Sequence, residues 1–236
     1  ISFNCEKKEK IPNELKIAFQ YFDQNLEKKV IDTLKTIQGD IPIPRNFDYG
    51  IAADIRNNLL SKHQKSELLN EFFDSLEINY PDDRVGILLI AYQRFLQGRE
   101  INLEGQVKSS KAYWKPILEC EEKQRLRRLK IFSGQKIGDT LNIQMPVSKN
   151  NSVVDYSCPY LDWDFNPEKD LMVNGIITEK YFRFDSTDMA LKVKVLTKNH
   201  PKTEILMEKV NVGDEFEVTL RETAWKIKTT GNNVYN

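Results

Sequence analysis

The feature that most constrains this chain is a change in the period of its apolar residues. From Ile11 to about Gly98 they recur every three or four positions, and beyond Gly134 every second position. The first spacing places side chains on one face of a helix, the second on one face of a strand. The two patterns predict two separate cores and an α+β protein: an N-terminal all-α domain over 11–105, followed by a small antiparallel β-barrel, OB-like, over 136–236. A basic helical bridge over 106–135 joins them, and residues 1–10 form a flexible tether. At 236 residues the chain is long enough for two domains of about 100–150 residues. With 40% hydrophobic residues, 10% aromatics and no net charge, it lacks the signature of a chain that cannot collapse.

Start and stop signals divide 11–105 into five helices. Pro12 suits a first turn, and Leu15, Ala18, Phe19, Phe22 and Leu26 share a face. Val30, Ile31, Leu34 and Ile37 mark a second helix that stops at Gly39. Ile41-Pro42-Ile43-Pro44 reads as a stiff linker, because each proline lacks an amide donor and restricts its predecessor. Asn46 is placed to cap a helix carrying Ile51, Ile55 and Leu59, and Ser66 to open one carrying Leu69, Phe72 and Phe73. Pro81-Asp82-Asp83 opens the fifth, whose apolar stripe is Val85, Leu88, Leu89, Tyr92, Phe95 and Leu96 and whose end is Gly98.

Leu103, Val107 and Trp114 predict further helix, and Pro116 should start or kink a new one. Residues 106–140 hold nine basic and four acidic side chains, whereas 1–105 hold 14 and 17 and 141–236 hold 12 and 14. Within that basic segment Arg125, Arg127, Arg128 and Lys130 could meet phosphates or an anionic membrane. Glu119, Glu121 and Glu122, at salt-bridging spacing, and the helix dipole give the same residues a structural account. Beyond Gly134, alternation at Leu141/Ile143/Met145, Leu191/Val193/Val195 and Phe216/Val218/Leu220 predicts strands. Lys136-Ile137-Gly138-Asp139 is echoed by Asn211-Val212-Gly213-Asp214, each a Gly-Asp turn feeding a strand. Six or so strands would bury their edges by curling into the barrel.

The chain begins at Ile1 rather than at a methionine, which suggests that something upstream has been lost. Its start, Ile1-Ser2-Phe3-Asn4-Cys5 followed by charged residues, resembles the end of a bacterial lipoprotein signal, in which Cys5 would be lipidated. No stretch is long and apolar enough to form a spanning helix. Cys120 and Cys158 are open to two readings, as buried small residues or as a disulfide in an oxidising compartment. With two histidines and no CxxC, no metal site is expected. No phosphate loop, GxSxG or HExxH occurs, so no cofactor is expected either.

Two groups of residues are candidates for recognition. Arg56, Asn57, Tyr92 and Arg94 could form a polar patch for an acidic partner; alternatively the arginines pair with Asp82 and Asp83 at a helix start. Tyr160, Trp163 and Phe165, set among acids and prolines, suit a recognition loop, or could cover the open end of their own barrel.

The motifs Ile11-Pro12 with the Leu15/Phe19/Phe22 face, Ile55-Arg56-Asn57-Asn58-Leu59, Tyr80-Pro81-Asp82-Asp83, Tyr92-Gln93-Arg94 and Leu96-Gln97-Gly98 together resemble an uncharacterised bacterial helical domain family of unknown function. The resemblance covers about residues 11–105. It implies a helical domain and brings no reaction with it.

The expected function is non-catalytic: an exported, lipid-anchored bacterial accessory protein of the cell envelope, lipoprotein or periplasmic, that binds another protein as a complex subunit or an immunity-like factor. Two alternatives stand beside it. One is a cytoplasmic nucleic-acid-binding module using the barrel and basic bridge, which the structural account of the bridge disfavours. The other is an unrecognised hydrolase.

Overall fold

A computed structural model describes residues 10–41, 49–61, 66–154, 156–184, 187–205, 208–220 and 225–229. Cys5, the tether to residue 9, the linker prolines Pro42 and Pro44, and Asn46 lie outside the described residues. The chain divides into two compact units, Ile1–Trp114 and Lys115–Asn236.

The helical unit contains α1 (Asn13–Asn25), α2 (Lys28–Thr36), α3 (Tyr49–Asp54), α4 (Ser66–Ser75), α5 (Pro81–Leu96) and the first part of α6 (Leu103–Gly134). The spacing of Leu15, Ala18, Phe19 and Phe22 buries one face of α1, while α4 buries Leu69 and Phe73. α5 is different: Arg84 to Gln93 are all buried, so this helix is the centre about which α1, α2 and the turn after α3 pack. Pro81 occupies its first turn, with Asp82 and Asp83 at the positive end of the dipole. The helix of α3 does not end at Asp54 but widens into a π-helical turn, Ile55–Leu59, in which the Leu60 N–H reaches back to the Ile55 carbonyl at 3.1 Å. Ile55 and Leu59, four positions apart, are both buried.

α6 is one helical segment with Pro116 inside it, so no new helix starts there as one reading of that proline had it. A proline costs a helix one hydrogen bond and crowds the preceding turn. Contacts on either side offset that cost. Before it, Ser110 and the Trp114 indole both donate to Asp83; after it, Ile131 is buried in the second core.

The β unit holds the rest of α6 and five strands: β1 (Thr140–Met145), β2 (Leu171–Phe182), β3 (Met189–Lys198), β4 (Glu215–Thr219) and β5 (Lys226–Thr229). They form one antiparallel sheet in the order β4-β3-β2-β1-β5. β1 to β4 make a meander, and β5 returns to the outer edge of β1. Leu141, Ile143, Leu171, Val173, Leu191, Val193 and Val218 share the buried face. Lys180 on β2 donates to the carbonyls of Phe132 and Gln135, satisfying acceptors at the end of α6.

The expected closed barrel is not what the strands build: among the described residues β4 and β5 are separate edges of an open sheet. Both edges are short, and each carries charged residues of one sign, Glu215 and Glu217 on β4 and Lys226 and Lys228 on β5, which without closure disfavours pairing with a like-charged edge. The segments near Val153 and Ile205 contribute single bridges.

The Gly-Asp echo is a structural one. Gly138 and Gly213 have φ of 93° and 97°, a region that favours glycine. Their N–H groups donate to Ile177 O and Val195 O at 2.8 and 2.9 Å. Asp139 and Asp214 each accept from the backbone three residues earlier, at 2.7 and 2.9 Å.

Candidate functional site

The polar residues of α5 and of the π-turn are mostly engaged within their own unit. Arg56 pairs with Asp82 at 2.9 Å, with both side chains partly exposed. Asn57, beside it, is exposed. Tyr92 is 0% exposed and donates its hydroxyl to Asp23. Its expected place in a recognition patch is therefore corrected: on a helix buried all round, position 92 faces Phe19 and Phe22, with ring centroids 5.5 and 5.1 Å away. Burial, then the bond to Asp23, pushes the phenol's pKa well up.

Arg94 is likewise committed. Its guanidinium clasps both oxygens of Asp40 and donates to the Ile101 carbonyl at 3.2 Å. Arg99 adds a third bond to Asp40 at 3.0 Å. The hydrogen bond from Arg94 holds the Asp40 carboxyl below the usual carboxylate range.

Sequence reasoning missed the rest of this clasp. Gln93 donates to Gly39 O and accepts from the Ile41 N–H, both at 2.9 Å, and Gln97 donates to Leu34 O and Ile37 O. Glutamines and arginines at 93, 94, 97 and 99 mark a polar cluster about the end of a helix, but not the backbone groups of 34–41 that they meet. Asp82 and Asp83 do not form a carboxylate pair. Asp82 is held by Arg56, and Asp83 by Trp114 and Ser110. Trp114 also stacks on Tyr80 with centroids 3.6 Å apart.

In the bridge, Arg125 makes a two-pronged pair with Glu122, both bonds 2.7 Å, as its spacing implied. Arg127 is half-buried, which lowers its pKa, and its Nε has no hydrogen-bond partner among the described residues. Neither Arg128 nor Lys130 is free.

The loop after Tyr156 is arranged differently. At its start Cys158 is disulfide-bonded to Cys120 of α6, with Cα atoms 5.7 Å apart, inside the normal range for such a bond. At its end Asp170 is buried, accepting from the Asn166 N–H at 2.7 Å and the Val147 N–H at 3.3 Å. Asn199 donates to Pro167 O and Asp170 O, closing the same end. Between these anchors Trp163 accepts at its carbonyl from Lys226, whose ammonium also lies 5.1 Å from the indole centre. Phe165 meets that indole edge-on at 6.2 Å. Trp163 and Phe165 are thus half-buried against their own unit, and Tyr160, 80% exposed, projects from it with Asp162 and Asp164 exposed nearby. Among the described residues no three His, Cys, Asp or Glu side chains are grouped to hold a metal ion.

Residues 11–96 match the model of a family described as a domain of unknown function, DUF6794. The resemblance to an uncharacterised domain family read from the motifs is therefore shown, and the function of the matched family is unknown. No curated protein and no solved structure matches the chain.

Proposed function

We propose that the chain is an exported, non-catalytic protein, lipid-anchored through Cys5, that binds another protein of the cell envelope as an accessory subunit or immunity-like factor, using the 156–168 loop. The observation that carries this reading is Tyr160: a fully presented aromatic ring on a loop fixed at both ends. A ring held in place before binding loses little freedom on contact, so most of its buried area contributes to affinity. The Cys120–Cys158 bond supports export, since such bonds persist in oxidising compartments.

The test is a native pull-down from the source cell with the parent chain and with Tyr160→Ala, together with a mass measurement of the native protein. A partner lost on Tyr160→Ala, and a diacyl or triacyl mass on Cys5, are expected. A cytosolic, unmodified protein would overturn the envelope assignment. Salt-sensitive retention of single-stranded oligonucleotides in place of a protein would favour a nucleic-acid module built on the β unit and residues 125–130.

A further inference from the structure

The β sheet is related to itself by a half-turn about the Ile176–Lys194 pair. The operation exchanges β2 with β3 and β1 with β4. It carries the pair Gly175–Val195 onto Ile177–Val193, and Asn174–Thr197 onto Glu179–Lys192, so that the two register shifts exchange as well. It also superposes the Gly138 and Gly213 turns, so Leu141 corresponds to Phe216, Asn142 to Glu217 and Ile143 to Val218. Among the described residues, one strand has no counterpart. β5 lies on the outer edge of β1, pairing Lys228 with Asn142 and Ile227 with Ile143, whereas among the described residues β4 pairs with β3 alone.

The direction of the backbone groups at that unmatched edge follows from the ladder. Val195 donates to Asp214 O and Leu220 donates to Met189 O, both at 2.9 Å, so positions 214 and 220 bond inward. Antiparallel alternation then turns Phe216 and Val218 toward β3 and leaves the N–H and C=O of Glu215 and Glu217 directed at the edge. Side-chain charge alternates strand by strand across the same region: Glu179 on β2 meets Lys192 on β3 at 3.7 Å, and Lys192 meets Glu215 on β4 at 3.9 Å. A strand added outside β4 would stand next to Glu215, whose cation is Lys192 one strand inward, and next to Glu217, which Arg183 pairs at 3.4 Å and the Tyr181 hydroxyl bonds. A second copy pairing edge to edge would oppose Glu217 with Glu217, which disfavours that occupant.

We propose that the outer edge of β4 binds, by strand addition, an extended partner segment in which Lys or Arg alternates with aliphatic residues, the pattern of Lys226-Ile227-Lys228 at the equivalent edge. The partner's cations continue the alternating charges on the face of Glu215 and Glu217, and its aliphatic residues lie on the other face of the added strand. The inference is independent of the 156–168 loop, and either can fail alone.

The test uses the full chain, isotope-labelled, with a short capped peptide of alternating lysine and isoleucine as probe. In the free chain the Glu215 and Glu217 amides should exchange fast and those of Phe216 and Val218 slowly. The peptide should slow exchange at Glu215 and Glu217 by at least about tenfold. Glu215→Lys should weaken its binding about threefold, and a peptide with glutamate for lysine should bind more weakly to the parent chain than to this variant. Amides of Glu215 and Glu217 protected in the free chain, peptide effects confined to β1 and β5, or equal binding of both peptides would each overturn the proposal.

Discussion

Removing the Cys120–Cys158 bond, by Cys120→Ser with Cys158→Ser, should unfold the β unit at a much lower temperature. The bond closes a loop with a sequence separation of 38. Loop-closure entropy of that size corresponds to about 4 kcal/mol at 25 °C, gained by restricting the unfolded chain. For a unit spanning Lys115–Asn236, the usual unfolding entropy per residue makes each kcal/mol worth about 4 °C, so the midpoint should fall by about 15 °C. Differential scanning calorimetry of the oxidised chain, the reduced chain and the double serine variant would measure this. The reduced chain and the variant should coincide, and the transition of the helical unit should stay in place as an internal control. Two findings would refute the reasoning: three titratable thiols in the unfolded, unreduced chain, which has Cys5, Cys120 and Cys158, or a β-unit midpoint in the variant within a few degrees of the parent.

Three further expectations follow from contacts within single units. Gln93→Ala would leave the Ile41 N–H and the Gly39 carbonyl without their side-chain partner and should destabilise the helical unit by about 2–4 kcal/mol in urea unfolding; a loss below about 0.5 kcal/mol would refute the clasp. Because the Asp40 pKa is lowered on folding, its stabilisation is complete above the ordinary carboxylate range and is lost as pH falls through and below it, so Asp40→Asn should flatten the acid limb of stability against pH. An unchanged acid slope in that variant would contradict the Arg94 pairing. Gly175→Ala would set a Cβ 2.3 Å from Val193 Cγ1 and 2.8 Å from the Lys194 carbonyl oxygen and should cost about 1–3 kcal/mol, measured by thermal unfolding, with partial recovery on adding Val193→Ala.

Where a local pattern decided the structure, it could be read from the residues alone. Pro81-Asp82-Asp83 starts a helix whatever it packs against, and the two Gly-Asp turns form because only their own backbone and aspartate are needed. Tyr92 was open to two readings. The apolar stripe placed Tyr92 on the buried face, where it lies; what misled was its place beside Gln93 and Arg94, which suggested a polar patch, whereas α5 is buried from Arg84 to Gln93. The clasp was hidden for a related reason: Gln93 and Gln97 meet backbone groups of 34–41, more than fifty positions away, and no spacing rule reaches that far. Barrel closure was inferred from the need to protect edges, and charged, short edge strands meet that need without it. The 158–170 loop was legible in composition, whereas its anchoring depends on Asp170, Asn199 and Lys226, each meaningful only once the strands are placed.

The continuous course of α6 bears on how the molecule can be taken apart. Cutting the gene at the end of the family match would strip the first half of Ser110, Lys111 and Trp114, which hold Asp83, Glu77 and the Tyr80 ring. A cut after Trp114 keeps those contacts and hands the second fragment a helix opening on Lys115-Pro116, a location where a ring without an amide hydrogen is welcome rather than costly. That single bond between 114 and 115 is where a protein engineer should place the seam.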